Sequence, residues 1–181
     1  MGKVIAGMTM SLDGYIDADK VNPDFEALLE TASFKQMIEN TGAAIMGRRV
    51  YEMANPFLWA NDDYEFQTPI FVLTHTPPEK FPPGNGKLSF TFVTDGVESA
   101  VAQAKAAAGD KDVQIIGGAS TIQQCLNAGL CDELQIDVMP VLLGKGLQLF
   151  EHIDTKRINL ERTKVEATTS YRTSITYTVT S

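Results

Sequence analysis

A chain of 181 residues with 44% hydrophobic and 21% charged side chains can bury a sizeable core, and its composition is that of a globular protein rather than of a disordered or fibrous one. Its formal net charge of -8 argues against a surface that neutralises many nucleic-acid phosphates, so any anionic ligand must be met by local amides and a few arginines. Two cysteines, Cys125 and Cys131, and two histidines, His75 and His152, supply neither a disulfide framework nor a cluster at metal-ligand spacing, and no metal site is expected.

The apolar opening, residues 1–10, reaches the turn Ser11-Leu-Asp-Gly14 too soon for a signal peptide and reads as a first strand. No apolar run approaches a membrane span, so a cytoplasmic protein without a membrane partner is expected. Asn22-Pro23 reads as an N-cap and first helical position, and Ser33 with Gln36 as a capping box, giving two short helices, or one broken near Ser33, that end by Gly42. Residues 43–46 form a buried strand, 48–53 begin a helix limited by Pro56, and 59–67 have no period and read as a surface loop. Its Trp59, Tyr64 and Phe66 either cover a substrate or pack back onto the fold. Strands follow at 69–74 and 89–94. Asp95 and Glu98 then cap a helix whose Val97, Ala100, Val101, Ala104 and Ala108 make an apolar stripe, with Gly109 just past its end.

The strand Val113-Gln-Ile-Ile runs into Gly117-Gly118 and then into a helix start at Ala119-Ser-Thr-Ile122, for which Ser120 and Gln123 also make a capping pattern. Paired glycines let the backbone turn sharply, and the amides at the head of the helix favour an anion. A second junction, Gly42-Ala-Ala-Ile-Met-Gly47, ends in Arg48-Arg49, where two cations at a helix start oppose the dipole unless an anion sits there. Neither junction is a Rossmann fingerprint, and the 42–47 frame lacks the Lys-Ser/Thr of a Walker loop. Together they suit the two ends of a dinucleotide. Beyond Gly129 the pattern changes: Leu134, Ile136 and Val138 alternate with Glu133, Gln135 and Asp137, and Tyr171, Ile175, Tyr177 and Val179 repeat that period. These strands, without helices between them, are expected to pair antiparallel. No repeat or linker divides the chain, which is read as one domain over 1–181.

Ala44-Ile-Met-Gly-Arg48 with Tyr51-Glu52, Pro69-Ile-Phe-Val-Leu-Thr74, Gln114-Ile-Ile-Gly-Gly118 and Leu134-Gln-Ile-Asp137 resemble, in order and spacing, the dihydrofolate reductase fold. Met10-Ser-Leu-Asp-Gly14 and Pro140-Val-Leu-Leu-Gly144 bring the chain closer to the reductase domain of riboflavin biosynthesis, the RibD C-terminal domain, as a stand-alone member. The resemblance implies an α/β three-layer sandwich with a mostly parallel central sheet and antiparallel C-terminal strands. It also implies an NADPH site. Gly47, Arg48 and Arg49 would meet the pyrophosphate and adenosine phosphate. Thr74 and His75 would line the adenosine end, Gly117, Gly118, Ala119, Ser120, Thr121 and Ile122 would cradle the remaining phosphate, and backbone near Ala6, Met8 and Ile16 would face the nicotinamide.

Asp24 stands where dihydrofolate reductases keep the acid that binds the pterin, and is the candidate catalytic residue; its plain alternative is an acid that favours the helix dipole. Asp13 and Tyr15 are expected in the loop over cofactor and substrate, where Asp13 is also an ordinary turn former. The proline- and tryptophan-containing segment of true folate reductases is absent. The expected activity is hydride transfer from NADPH to a C=N or C=O bond of a small pterin- or pyrimidine-like substrate, with a non-catalytic NADP(H)-binding regulator as the alternative. A homodimer through the Thr-, Gln- and Ser-rich faces of the C-terminal strands is also expected.

Overall fold

The computed structural model describes residues 2–180. Strand β1 (Val4–Ser11) is followed by β2 (Tyr15–Ile16) and three helices, α1 (Ala18–Val21), α2 (Phe25–Leu29) and α3 (Ala32–Asn40). The expected helical pair is present with different caps. Pro23 lies ahead of α2, whose N-cap residue is Asp24, and Thr31 rather than Ser33 caps α3. The extended backbone of Thr31 turns its hydroxyl to accept from the Phe34 amide at 3.2 Å.

The parallel half comprises β3 (Thr41–Gly47), α4 (Arg48–Glu52), α5 (Pro56–Trp59), β4 (Pro69–Leu73), β5 (Ser89–Val93), α6 (Val97–Ala108), β6 (Asp112–Ile115) and α7 (Ala119–Asn127). Pro56 opens α5, where its missing N–H costs nothing, behind an Asn55 side chain that accepts from Phe57 N at 3.1 Å. Neither Asp95 nor Ser120 caps its helix. Gly96 and Gly118 are the N-cap residues of α6 and α7, and no side chain bonds to either helix start.

The chain closes with β7 (Glu133–Met139), β8 (Leu147–Gln148), β9 (Asn159–Ala167) and β10 (Thr173–Thr180). Strand β9 was not legible in the sequence because its side chains are nearly all exposed and charges at Glu161, Arg162, Lys164 and Glu166 break any apolar alternation, as an edge strand's often do. Tyr171, expected in the last strand, lies before β10 and is exposed.

Eight strands form one sheet in the order β5-β4-β3-β6-β1-β7-β10-β9, while β2 and β8 make a separate two-stranded ribbon. All pairs from β5 to β7 are parallel; β10 joins β7 antiparallel, as expected, and also pairs antiparallel with the unforeseen β9. The run 43–46 is apolar throughout because β3 is covered on both faces. Ala43 and Ile45 enter a core completed by α6 and α7, and Ala44 and Met46 enter a second core on the opposite face. The whole expected α6 stripe is buried.

Residues 60–67 are irregular and exposed at 61–63, as a surface loop should be, but the aromatic residues of 59–67 pack back onto the second core. Trp59 packs on Tyr64 with ring centroids 4.7 Å apart and meets Tyr51 edge-on, while Phe66 is buried among the same group. The Trp59 indole N–H donates to the carbonyls of Tyr51 and Ala54. An aromatic cluster of this kind draws an aperiodic segment onto the sheet without needing regular structure.

The antiparallel strands are fastened to the helical side by Arg172, whose side chain is fully buried. Its guanidinium donates to Asp24 Oδ1 at 2.7 Å, Asp137 Oδ2 at 2.8 Å, Thr9 Oγ1 at 2.6 Å and Asn22 Oδ1 at 3.0 Å. One side chain thereby joins β1, β7 and the approach to α2. Breaking such a pair strands the remaining charges. Arg172→Leu should therefore cost about 3–5 kcal/mol at pH 7. In the native protein the Arg172 pair and the Thr169 hydroxyl outweigh burial and hold the Asp24 carboxyl below its ordinary range. Its contribution is present above the unfolded value, about 3.9, and is lost as pH falls through the native one. In the variant, burial without a cation should raise the carboxyl pKa values, so its deficit against wild type should shrink as pH drops from 7 toward about 5. Urea midpoints at both pH values read this; a deficit that is absent, or constant with pH, contradicts it.

Candidate functional site

Parallel pairing of β3 with β6 brings the two glycine junctions side by side. The Gly47 amide donates to the Gly117 carbonyl at 2.9 Å. A Cβ on Gly47 would sit 2.7 Å from Thr121 Oγ1, and one on Gly117 would sit 3.1 Å from Val50 Cγ2. Gly117 and Gly118 have φ of 137° and 50°, in the region that favours glycine. The result is a bare-backbone cradle at the head of α7, whose first amides have no side-chain cap. This fits a phosphate, because amides and a helix terminus are presented with no Cβ in the way.

Of the other expected cofactor residues, Met8 lies beside the cradle, and Thr74 and His75 follow Leu73, which pairs with Gly47 at the carboxyl end of the sheet. Ligands of open α/β sheets bind at that end, where the strand order reverses. Ala6 is fully buried in β1, paired with β6 on one side and β7 on the other. A Cβ on Gly117 would meet Met8 Cε at 3.7 Å, which puts Met8 beside the cradle. Ile16 is half-buried against the first core. Thr74 is buried just past β4, with its hydroxyl donating to the Thr76 carbonyl at 3.0 Å, and His75 beside it is exposed. In the turn itself Ala119, Thr121 and Ile122 bury their side chains. Ser120 is exposed, and its hydroxyl accepts from Gln124 Nε2 at 3.1 Å. The turn therefore offers its backbone.

Arg48 and Arg49 are both exposed at the start of α4. Arg48 Nε donates to Glu52 Oε1 at 2.8 Å, one turn along, so part of its charge is already answered. Arg49 enters none of the ion pairs among the described residues.

Asp13 does more than shape its own turn. Its carboxylate accepts from the Ser11 hydroxyl at 2.5 Å and from the amides of Leu143 and Gly144, the latter at 2.7 Å. The Ser11 hydroxyl and then the Gly144 amide hold its pKa below the ordinary carboxylate value. Tyr15 pairs with Gln148 in the β2–β8 ribbon. The loop after β1 is thus latched to the distant 143–148 segment, a partner the sequence did not disclose.

A cleft of about 830 Å³ opens on the sheet face that the second core leaves uncovered. Gly7, Thr9, Gln135 and Asp137 form part of its floor, and Phe25 and Met37 part of its helical wall. Asp24, the expected catalytic residue, is turned away into the Arg172 pair with 6% of its side chain exposed. A carboxyl held ionised in this way accepts protons poorly and has none to give at neutral pH. Glu65 also lines the cleft, its pKa raised by burial, but it belongs to the segment before β4, at the opposite end of the strands from the cradle. Cys125 and Cys131 are free and buried, and burial pushes both thiols up to about 12, so neither is a nucleophile. That Gln135 and Asp137 line a cleft, with Arg172 paired behind Asp137, was not foreseen, because alternation alone marks the outward face of a strand, not what lies over it.

A family model for the RibD C-terminal domain matches residues 2–172. The uncharacterized protein YyaP of Bacillus subtilis (strain 168) is 27% identical over 179 residues, 97% of this chain and 94% of the relative. A crystal structure from Shewanella sp. PV-4, assigned to riboflavin biosynthesis, shares 26% identity with a TM-score of 0.76 over 99% of both chains. Dihydrofolate reductase from Enterococcus faecalis, solved with NADP(H), has the same fold at 18% identity, with a TM-score of 0.64 over 98% of this chain and 96% of that one.

Proposed function

The chain belongs to the RibD C-terminal domain family, and from that premise we propose that it is an NADPH-dependent reductase acting on a C=N or C=O bond of a small pyrimidine- or pterin-like heterocycle. The observation that carries the reading is the cradle where Gly47 bonds to Gly117 at the head of α7, next to a cleft large enough for such a ring. The NADP(H) held by the Enterococcus reductase of the same fold supports it. Bound there, NADPH would supply the hydride. The backbone near Ala6, Met8 and Ile16 would face the nicotinamide end, and the amides from Gly117 to Ile122 would meet phosphate. Thr74 and His75 would border the adenosine. Asp13, through its latch to Leu143 and Gly144, would hold the Ser11–Ile16 loop over the site and keep water out. Asp24, committed to Arg172, would organise the cleft wall, and solvent would provide the proton. Residues 1–181 would make one reductase domain in the cytoplasm.

We also propose a homodimer through the antiparallel strands. The expectation of a neutral surface needs correction, because β9 carries Lys164 and Glu166 in an ion pair at 2.7 Å. Support comes instead from Leu160 and Val165, 47% and 55% exposed on this edge strand, which a second copy would cover.

Because Arg48 is answered by Glu52, Arg49 should carry most of the preference for the adenosine phosphate. Replacing both arginines by alanine should weaken NADPH by about tenfold or more and NADH far less. Calorimetry with both cofactors decides this: equal losses would show that the arginines do not read the phosphate, and absence of saturable NADPH binding to the wild type would remove the function itself. Light scattering across a micromolar dilution series should report about twice 19.8 kDa, and a constant mass at 19.8 kDa would overturn the dimer.

A further inference from the structure

We infer that Asp137, with Gln135 beside it, is the group that anchors the substrate, and that it selects rings bearing N–H donors along one edge. The inference rests on the reductase reading and names the substrate-recognition part of that site. Asp24 and Asp137 share Arg172, but they differ in where their remaining oxygen capacity points. Asp24 Oδ1 takes Arg172 Nη2 at 2.7 Å, and Oδ2 takes Arg172 Nε at 3.4 Å and the Thr169 hydroxyl, with 6% of the side chain exposed. Its carboxylate is not part of the cleft lining.

Asp137 lines the cleft and has 23% of its side chain exposed. Arg172 Nη1 donates to its Oδ2 at 2.8 Å, and the Ser174 hydroxyl donates to its Oδ1. Each carboxylate oxygen can accept about two hydrogen bonds and each has one donor here, so a partly exposed carboxylate in the cleft lining keeps accepting capacity. Arg172 also fixes the carboxylate rotamer, so a ligand that binds it need not order a mobile group.

The neighbours suit a flat ring. Asp137 stands in register with Thr9 and Gln135 with Gly7 on the adjacent strand, so the two side chains leave the same face of β7 from backbone positions about 6.6–6.8 Å apart. Gly7 puts no side chain between them and the helical wall. A Cβ there would find only the Gln135 carbonyl, at 4.0 Å. An aromatic ring can therefore lie against the backbone of β1 with one edge toward Asp137, while Phe25 borders the cleft from α2. One guanidinium between two carboxylates leaves a net negative charge, which favours an edge of N–H donors or a protonated ring and disfavours an anionic one. The Thr9 level of β1 is also close in the chain to Met8, beside the glycine cradle. That places the anchored ring at the cofactor end of the cleft, away from Glu65.

The probe is 2,4-diaminopyrimidine, with unsubstituted pyrimidine as the donor-free comparison, titrated by calorimetry into the full chain with NADP+ present. The diamino compound should bind at least about tenfold tighter than pyrimidine, and Asp137→Asn should remove most of that difference. Gln135→Leu, which touches no ion pair, should weaken the diamino compound by a smaller factor while leaving the melting temperature near wild type. Asp137→Asn should be checked by melting as well, because it also faces Arg172. If it is destabilised, the Gln135→Leu comparison decides. Equal affinity of the two pyrimidines for wild type, no saturable binding of the diamino compound, or both variants binding it as wild type does would each overturn the inference. NADPH titrated into wild type alone separates this from the broader reading. If NADPH binds and the diaminopyrimidine discrimination is absent, only the anchor falls. If NADPH itself fails to bind, the reductase reading falls first.

Discussion

The structure turns on a close approach of two backbones. Strands β3 and β6 run side by side, and at their carboxyl ends the Gly47 amide bonds to the Gly117 carbonyl at 2.9 Å. No side chain fits there, since a Cβ at either glycine would press on Thr121 or Val50. Two strand-to-helix turns are therefore fixed against each other, and the helix that follows the second begins on a bare glycine in the left-handed region. Everything proposed for the cofactor depends on this cradle being preorganised, because amides that are already aligned need no ordering when an anion arrives.

A second constraint holds the other half of the site. Arg172 is buried with two carboxylates, and its donors reach Thr9, Asn22, Asp24 and Asp137, so the antiparallel strands cannot drift from β1 and the start of α2 without leaving charges unpaired. Such a network is costly to assemble and worse to break. It also divides labour between similar groups: Asp24 is spent on the fold, while Asp137 still faces the cleft. The Asp13 latch plays a comparable part on the opposite side, tying the loop after β1 to the segment around Gly144.

Much of this was legible in the sequence where local pattern and burial agree. The apolar run 43–46, the α6 stripe, both glycine junctions and the alternating strands beyond Gly129 all appear where periodicity and turn chemistry put them, because each is decided by a few neighbouring residues. The family resemblance rested on these same segments. What escaped was decided at a distance. Thr31 displaces Ser33 as a cap through backbone geometry, β9 hides its strand character behind charges suited to an edge, and Trp59, Tyr64 and Phe66 find partners on other elements. The site residues divide in the same way. Gly47, Gly117 and Gly118 announce themselves through conformational need, whereas the difference between Asp24 and Asp137 exists only once Arg172, far along the chain, has been folded between them.

The most direct measurement is an NADPH titration followed by backbone amide NMR. The central claim is that phosphate is met by main-chain groups at the paired glycine turns, so the largest saturable shifts should fall on Gly47, Gly117, Gly118, Ala119 and Ser120. Smaller ones should appear around Met8 and Ile16. Saturable binding that leaves the two glycine turns unshifted and perturbs another part of the surface would contradict the account.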